Sequence, residues 1–226
     1  MAKNFLLEIA CFNFEAALIA EQGGADRIEL CENYSLGGVT PGMELIQKVK
    51  SQVNIPVHVM IRPRSGNFVY SNAEFEEMKN SVQQCRDLKL DGVVFGILDE
   101  DNFVDKQKCA ELINLAGPMS AVFHRAFDEI NNPLDALEEI MDCGFTRILT
   151  SGKKQSAAEG KNLISELISN SNQRIIVMPG GGIRSGNISE IKNETGAMEF
   201  HSSAMNFQAL LPDKNEILKM KQLLSS

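Results

Sequence analysis

The chain has 226 residues, of which 43% are hydrophobic and 23% charged, with a net charge of -8. That length allows one large domain or two small ones; no Lys/Arg run offsets the acidic balance, which excludes nucleic acid as main partner, and no apolar run of about 18 residues predicts a membrane span. Five scattered cysteines, Cys11, Cys31, Cys85, Cys109 and Cys143, contain no C-x-x-C pair. They read as free thiols in a reducing compartment, and Glu8 interrupts the apolar start, so the expected location is the cytoplasm.

In chain order, residues 5–10 predict a first strand. Asn13 caps a helix over 14–22 that Gly23-Gly24 ends. Residues 26–31 alternate in polarity as a second strand. Thr40-Pro41 reads as N-cap and first turn of a helix to 52. A strand over 55–61 runs into Arg62-Pro63-Arg64-Ser65-Gly66, and Ser71 or Asn72 opens a helix to 88. Then follow a strand over 92–98, a helix over 105–115, and the apolar strand Ala121-Val122-Phe123 that ends in His124, Arg125 and Asp128. Asn132-Pro133 opens a helix that Gly144 closes. A strand over 147–150, a helix over 157–168, a strand over 174–178, a helix over 188–193, a strand over 198–201 and a helix over 213–224 complete the chain.

Eight strands each followed by a helix, at about 28 residues per unit, imply a parallel sheet with right-handed crossovers. Eight units predict a single-domain TIM (β/α)8 barrel over 1–226, lean for that fold but within its range. The alternative, an open doubly wound sheet, normally has fewer units, and its dinucleotide fingerprint is missing after strand one.

In such a barrel the chemistry lies at the carboxyl ends of the strands. Side chains two apart share a strand face, so Arg27, Glu29 and Cys31 go together, as do His58, Met60 and Arg62, and Glu199 and His201. Buried groups of this kind need partners, and Glu29 paired with Arg27 or Arg62 is one structural reading. Glu8, Glu29, His124 and Asp128 are the candidates for acid/base catalysis. Arg62, Arg64 and Arg125 are candidates to hold a carboxylate or phosphate. Gly180-Gly181-Gly182 after strand seven and Ser202 after strand eight fall where these barrels bind phosphate, with Ser151 and His201 beside them. The methionines, spread over separate elements, read as core filler.

Taken together, Arg27-Ile28-Glu29-Leu30-Cys31, Gly37-Gly38-Val39-Thr40-Pro41, Met60-Ile61-Arg62-Pro63-Arg64, Phe123-His124-Arg125-Ala126-Phe127-Asp128, Met178-Pro179-Gly180-Gly181-Gly182-Ile183 and Glu199-Phe200-His201-Ser202-Ser203-Ala204 resemble the CutC family, named for copper homeostasis. The resemblance runs over about nine tenths of the chain. It implies a cytoplasmic TIM barrel, a homodimer or higher homo-oligomer, and copper as ligand, held by cysteines at the ends of strands one and two. Cys31 matches the second position. Members often carry Cys where this chain has Ala10; Cys11 comes one residue later, so strand parity turns it to the opposite face. The shared runs are richer in Arg, His, Glu and Gly than in the soft sulfur that copper(I) prefers. A copper homeostasis protein is the first expectation. The rival is an enzyme acting on a small phosphorylated or carboxylated metabolite, and a non-catalytic metabolite-binding module is the third.

Overall fold

A computed structural model describes residues 5–225; residues 1–4 and 226 of the expected single domain lie outside the described residues. Eight parallel strands form the sheet: β1 (Leu6–Cys11), β2 (Arg27–Leu30), β3 (Val57–Met60), β4 (Gly92–Phe95), β5 (Ser120–Phe123), β6 (Arg147–Thr150), β7 (Ile176–Pro179) and β8 (Glu199–Ser202). Their hydrogen-bonded order is β7-β6-β5-β4-β3-β2-β1-β8. The order never reverses, which rules out the doubly wound alternative. β8 and β7 lie side by side without a backbone ladder between them, so the barrel is nearly closed.

The helices are α1 (Phe14–Gln22), α2 (Met43–Gln52), α3 (Asn72–Asp87), α4 (Lys106–Ala116), α5 (Pro133–Cys143), α6 (Lys161–Ser171), α7 (Ile188–Thr195) and α8 (Lys214–Ser225). Their starts follow from capping. Asn13 accepts from the Ala16 amide at 2.8 Å, Asp105 from Lys108 at 3.0 Å, and Ser71 with Glu74 forms a capping box. Pro133 occupies the first turn of α5.

Two starts differ from expectation. α2 begins at Met43 with Gly42 as cap, because the Thr40 hydroxyl instead accepts from the Arg62 amide at 2.8 Å. α6 begins at Lys161, because Gly160 packs its backbone against Ser151-Gly152, and residues 152–160 serve as a long loop after β6. A small hairpin, β9 (Met205–Asn206) with β10 (Leu211–Pro212), is a further difference.

Strand parity divides the core in two. Outward-facing Ile9, Ile28, Val59, Val93, Phe123, Ile148 and Phe200 pack under the helices. Inward-facing Cys31, Met60, Val94, Val122, Leu149 and Met178 form a separate ring inside the barrel. Met60 and Met178, expected as unrelated filler, therefore meet Cys31. No helix among the described residues is long and apolar enough to cross a membrane.

Candidate functional site

Below the apolar ring, the barrel interior is charged. Arg147 grips Glu199 through two hydrogen bonds of 2.7 and 3.0 Å. Glu199 also accepts from Arg27 at 2.8 Å, and Arg27 in turn pairs with Glu8. Oε1 of Glu8 takes Nδ1 of His201 at 2.8 Å, and Nε2 of His201 points to Glu29 at 3.9 Å. This chain of alternating charge leads from the amino-terminal end of the strands to their carboxyl ends.

The expected Glu29 pairing with Arg27 or Arg62 is not formed. Arg27 faces Glu8 across the β1–β2 register and bonds it instead. Burial works to raise the pKa of Glu8, but Arg27 and then His201 outweigh it and hold the carboxyl well below the usual range. Burial dominates at Glu29 and raises its pKa. At His201 burial works downward, and Glu29 and Glu8 more than reverse it, so the imidazole holds its second proton more strongly than a free histidine.

At the carboxyl ends of the strands opens a cavity of about 350 Å³, ample for a small metabolite. Glu29, Arg62, His124, Arg125, Gly181, Gly182, His201 and Ser202 line it. Glycines 181 and 182 have φ of 92° and 75°, a conformation that strains other residues. The amides of Gly181, Gly182, Ile183 and Ser203 donate to no acceptor among the described residues. Arg125 bonds Asp128 at 2.8 Å through Nε and Ser151 at 2.9 Å through Nη2. Its Nη1 side lies next to Gly181. Loose amides beside a tethered guanidinium make an anion cradle.

Several predicted residues serve the cavity only indirectly. Glu8 lies beneath it, locked to Arg27 and His201, and is not a free acid or base. Asp128 accepts from Thr150, Ser151, Lys153 and Arg125, so it anchors the β6 loop and aims the guanidinium. Arg64 spends its donors on Glu74 and the Ser65, Asn67 and Val69 carbonyls. Ser202 ties the loops after β7 and β8 together, donating to Ile183 at 2.7 Å and accepting from Ala204. The Gly180 amide bonds the Thr150 carbonyl. Asp128→Asn places an amide before these donors; it is expected to cost about 2–3 kcal/mol, read as a lower urea midpoint.

Sequence reasoning missed the rest of the lining, above all Phe12, Tyr34, Phe68, Arg184 and Phe207. Phe207 sits on the unpredicted hairpin, with Arg184 stacked over it at 5.7 Å. Their one common signal is position in loops that follow strands.

Copper(I) does not fit the expected cysteines. Cys31 faces the barrel interior, 3.3 Å from Glu29, while Cys11 packs outward under the helices. Burial, and then the Glu29 charge, drive both thiol pKa values well above normal, which disfavours thiolate. Glu8, Glu29 and His201 bring ligand atoms within 4.8 Å of one another. These are hard or borderline donors, and Glu8 already has both oxygens bonded.

A family model described as the CutC family matches residues 5–206. The chain is 49% identical over 203 residues to the copper homeostasis protein cutC homolog of Homo sapiens, covering 90% of this chain and 74% of that one. It is 48% identical over 198 residues to a CutC protein of Proteus mirabilis, covering 88% and 78%. The solved CutC structure from Streptococcus agalactiae matches with a TM-score of 0.84 at 32% identity, over 88% of this chain and 98% of that one. A thiamine phosphate pyrophosphorylase from Pyrococcus furiosus, at a TM-score of 0.65 and 15% identity over 99% and 96% of the two chains, shares the fold. With the family model spanning nearly the whole barrel and relatives at almost half identity, the chain belongs to the CutC family.

Proposed function

We propose that the barrel mouth binds a small anionic organic molecule and exchanges a proton with it through Glu29 and His201. One observation carries this: a single cavity joins an anion cradle, made of the amides from Gly181 to Ile183 and Arg125, to a buried carboxylate of raised pKa. A raised pKa makes a carboxylate the stronger base, and His201 beside it supplies positive charge. The phosphate or carboxylate of the ligand sits on the cradle, leaving its carbon skeleton over Glu29. No helix among the described residues crosses a membrane and all five cysteines are unpaired, which supports a cytoplasmic protein.

A thermal-shift screen of phosphorylated and carboxylated metabolites tests the reading, since a ligand of the folded state raises Tm in proportion to its occupancy. Arg125→Ala is expected to weaken the active compound about 10- to 100-fold, with little change in Tm without ligand, because the side chain is 46% exposed. No stabilising compound, or full affinity in the variant, contradicts the proposal.

Copper homeostasis, the role in the relatives' names, is the second reading, favoured by the 49% identity over 90% of the chain. It does not run through a Cys11–Cys31 pair. Retention of one copper(I) equivalent against a chromogenic chelator supports it, and complete loss to the chelator contradicts it.

A further inference from the structure

We propose that Arg62 and His124 form a donor pair for a carbonyl oxygen, so that the substrate of this mouth is a phosphorylated α-hydroxy carbonyl compound that loses a proton next to its C=O. The inference rests on the anion reading above and deepens it.

Three buried polar atoms on cavity-lining side chains have no partner among the described residues: Oε1 of Glu29, Nε of Arg62 and Nε2 of His124. Buried polar groups are rarely left so, and three around one cavity mark where a ligand is met. One is an acceptor and two are donors. Both side chains lie against one ring, and the Tyr70 hydroxyl stands beside the Arg62 guanidinium. The Arg62 guanidinium stands 5.0 Å from the centre of Phe68, and the His124 ring 4.8 Å from it. The other nitrogens of Arg62 are fixed by the carbonyls of Leu36, Gly38 and Gly66.

The tautomer of His124 follows from its seat. Nδ1 accepts from the Ala126 amide at 3.2 Å, so the proton is on Nε2. A Cβ at position 96 would lie 2.8 Å from Nδ1; Gly96 is what lets the ring lie there. Burial, and then the Arg62 charge, push the pKa down to about 3. The ring is therefore a neutral hydrogen-bond donor near pH 7. The sequence had cast it as an acid or base; the site makes it an electrophile.

The chemistry balances without a co-reactant. Glu29 takes the α-proton; the C–H electron pair becomes the C=C of an enediolate, and the carbonyl π pair moves onto the oxygen held by the two N–H groups. Return of the proton to the same carbon restores the substrate. Return to the former carbonyl carbon, with the hydroxyl proton passing between the two oxygens, gives the isomer.

The experiment incubates the full chain in D2O with aldose and ketose phosphates of three to six carbons, and reads α-deuterium by NMR. Polyol phosphates, which lack the carbonyl, are scored by thermal shift alongside. Expected are polyol phosphate binding, deuterium uptake into at least one carbonyl phosphate, and about a 10²- to 10³-fold slower uptake in His124→Phe, with polyol phosphate still raising the Tm of the variant. Glu29→Gln, nearly isosteric, should bind polyol phosphate and exchange nothing, which keeps the test alive if His124→Phe fails to fold. If polyol phosphates bind but no carbonyl phosphate takes up deuterium, or His124→Phe exchanges as wild type, the inference falls and the anion reading stands. If neither compound class raises Tm, both fall.

Discussion

Glu8→Ala is expected to destabilise the barrel by roughly 3–5 kcal/mol, the range for removing one partner of a buried ion pair. Glu8 is fully buried and serves two cations, Arg27 and His201. Its loss leaves Nε of Arg27 and Nδ1 of His201 without their acceptor in a water-poor interior. Glu199 still holds the far end of Arg27, so the guanidinium cannot turn to solvent without breaking a second pair. Glu8→Gln keeps the shape and one acceptor oxygen, and should cost less. Urea unfolding measures both. The exposed Glu138–Arg174 pair is the control, for which removal should be nearly neutral. A Glu8→Ala variant as stable as that control would contradict the axial charge chain.

The second large effect is with pH. Burial keeps His58 neutral down to a pKa of about 4 and His124 down to about 3. Both pKa values are depressed, so below about pH 6.5 the unfolded chain takes up protons that the folded barrel refuses. Each histidine then costs about 1.4 kcal/mol per pH unit, until its folded pKa is reached. Glu29 works against this, because its raised pKa lets the folded state protonate first. His201 is also raised; its contribution is complete below 6.5 and is lost as pH rises through its folded value. Glu8 adds a further loss as pH falls below its ordinary 4.5. Stability should thus fall steeply from pH 6.5 toward 4. In His58→Gln the slope should shrink by about one proton's worth, 1.4 kcal/mol per pH unit. Urea midpoints at pH 7, 6 and 5 read this directly, and parallel slopes in wild type and variant would refute it.

The order of strands and helices was legible because each unit is short and capped by residues whose chemistry is local: Asn13, Ser71, Asp105 and Pro133. Parity was legible too, and turned Cys11 away from Cys31. Partners across the barrel were not. Alternation says that Arg27 and Glu29 face inward, but only the stagger of neighbouring strands decides that Arg27 meets Glu8 and Glu199. The same closure brings Met60 and Met178, 118 positions apart (178 minus 60), into one ring. Charged residues near the mouth looked alike in the sequence, yet Arg64 and Asp128 are consumed by loop carbonyls and amides while Arg125 keeps one nitrogen edge toward the cradle. The aromatic rim of Phe12, Tyr34, Phe68 and Phe207 lies on loops and one short 3-10 turn, too brief for any periodicity to read.

The most direct measurement is a crystal structure of the full chain grown with a polyol phosphate. The phosphate should rest on the amides of Gly181, Gly182 and Ile183 with Arg125 against it, and the carbon chain should reach toward Glu29. A phosphate bound anywhere else, or a mouth that stays empty at saturating ligand, would contradict the account.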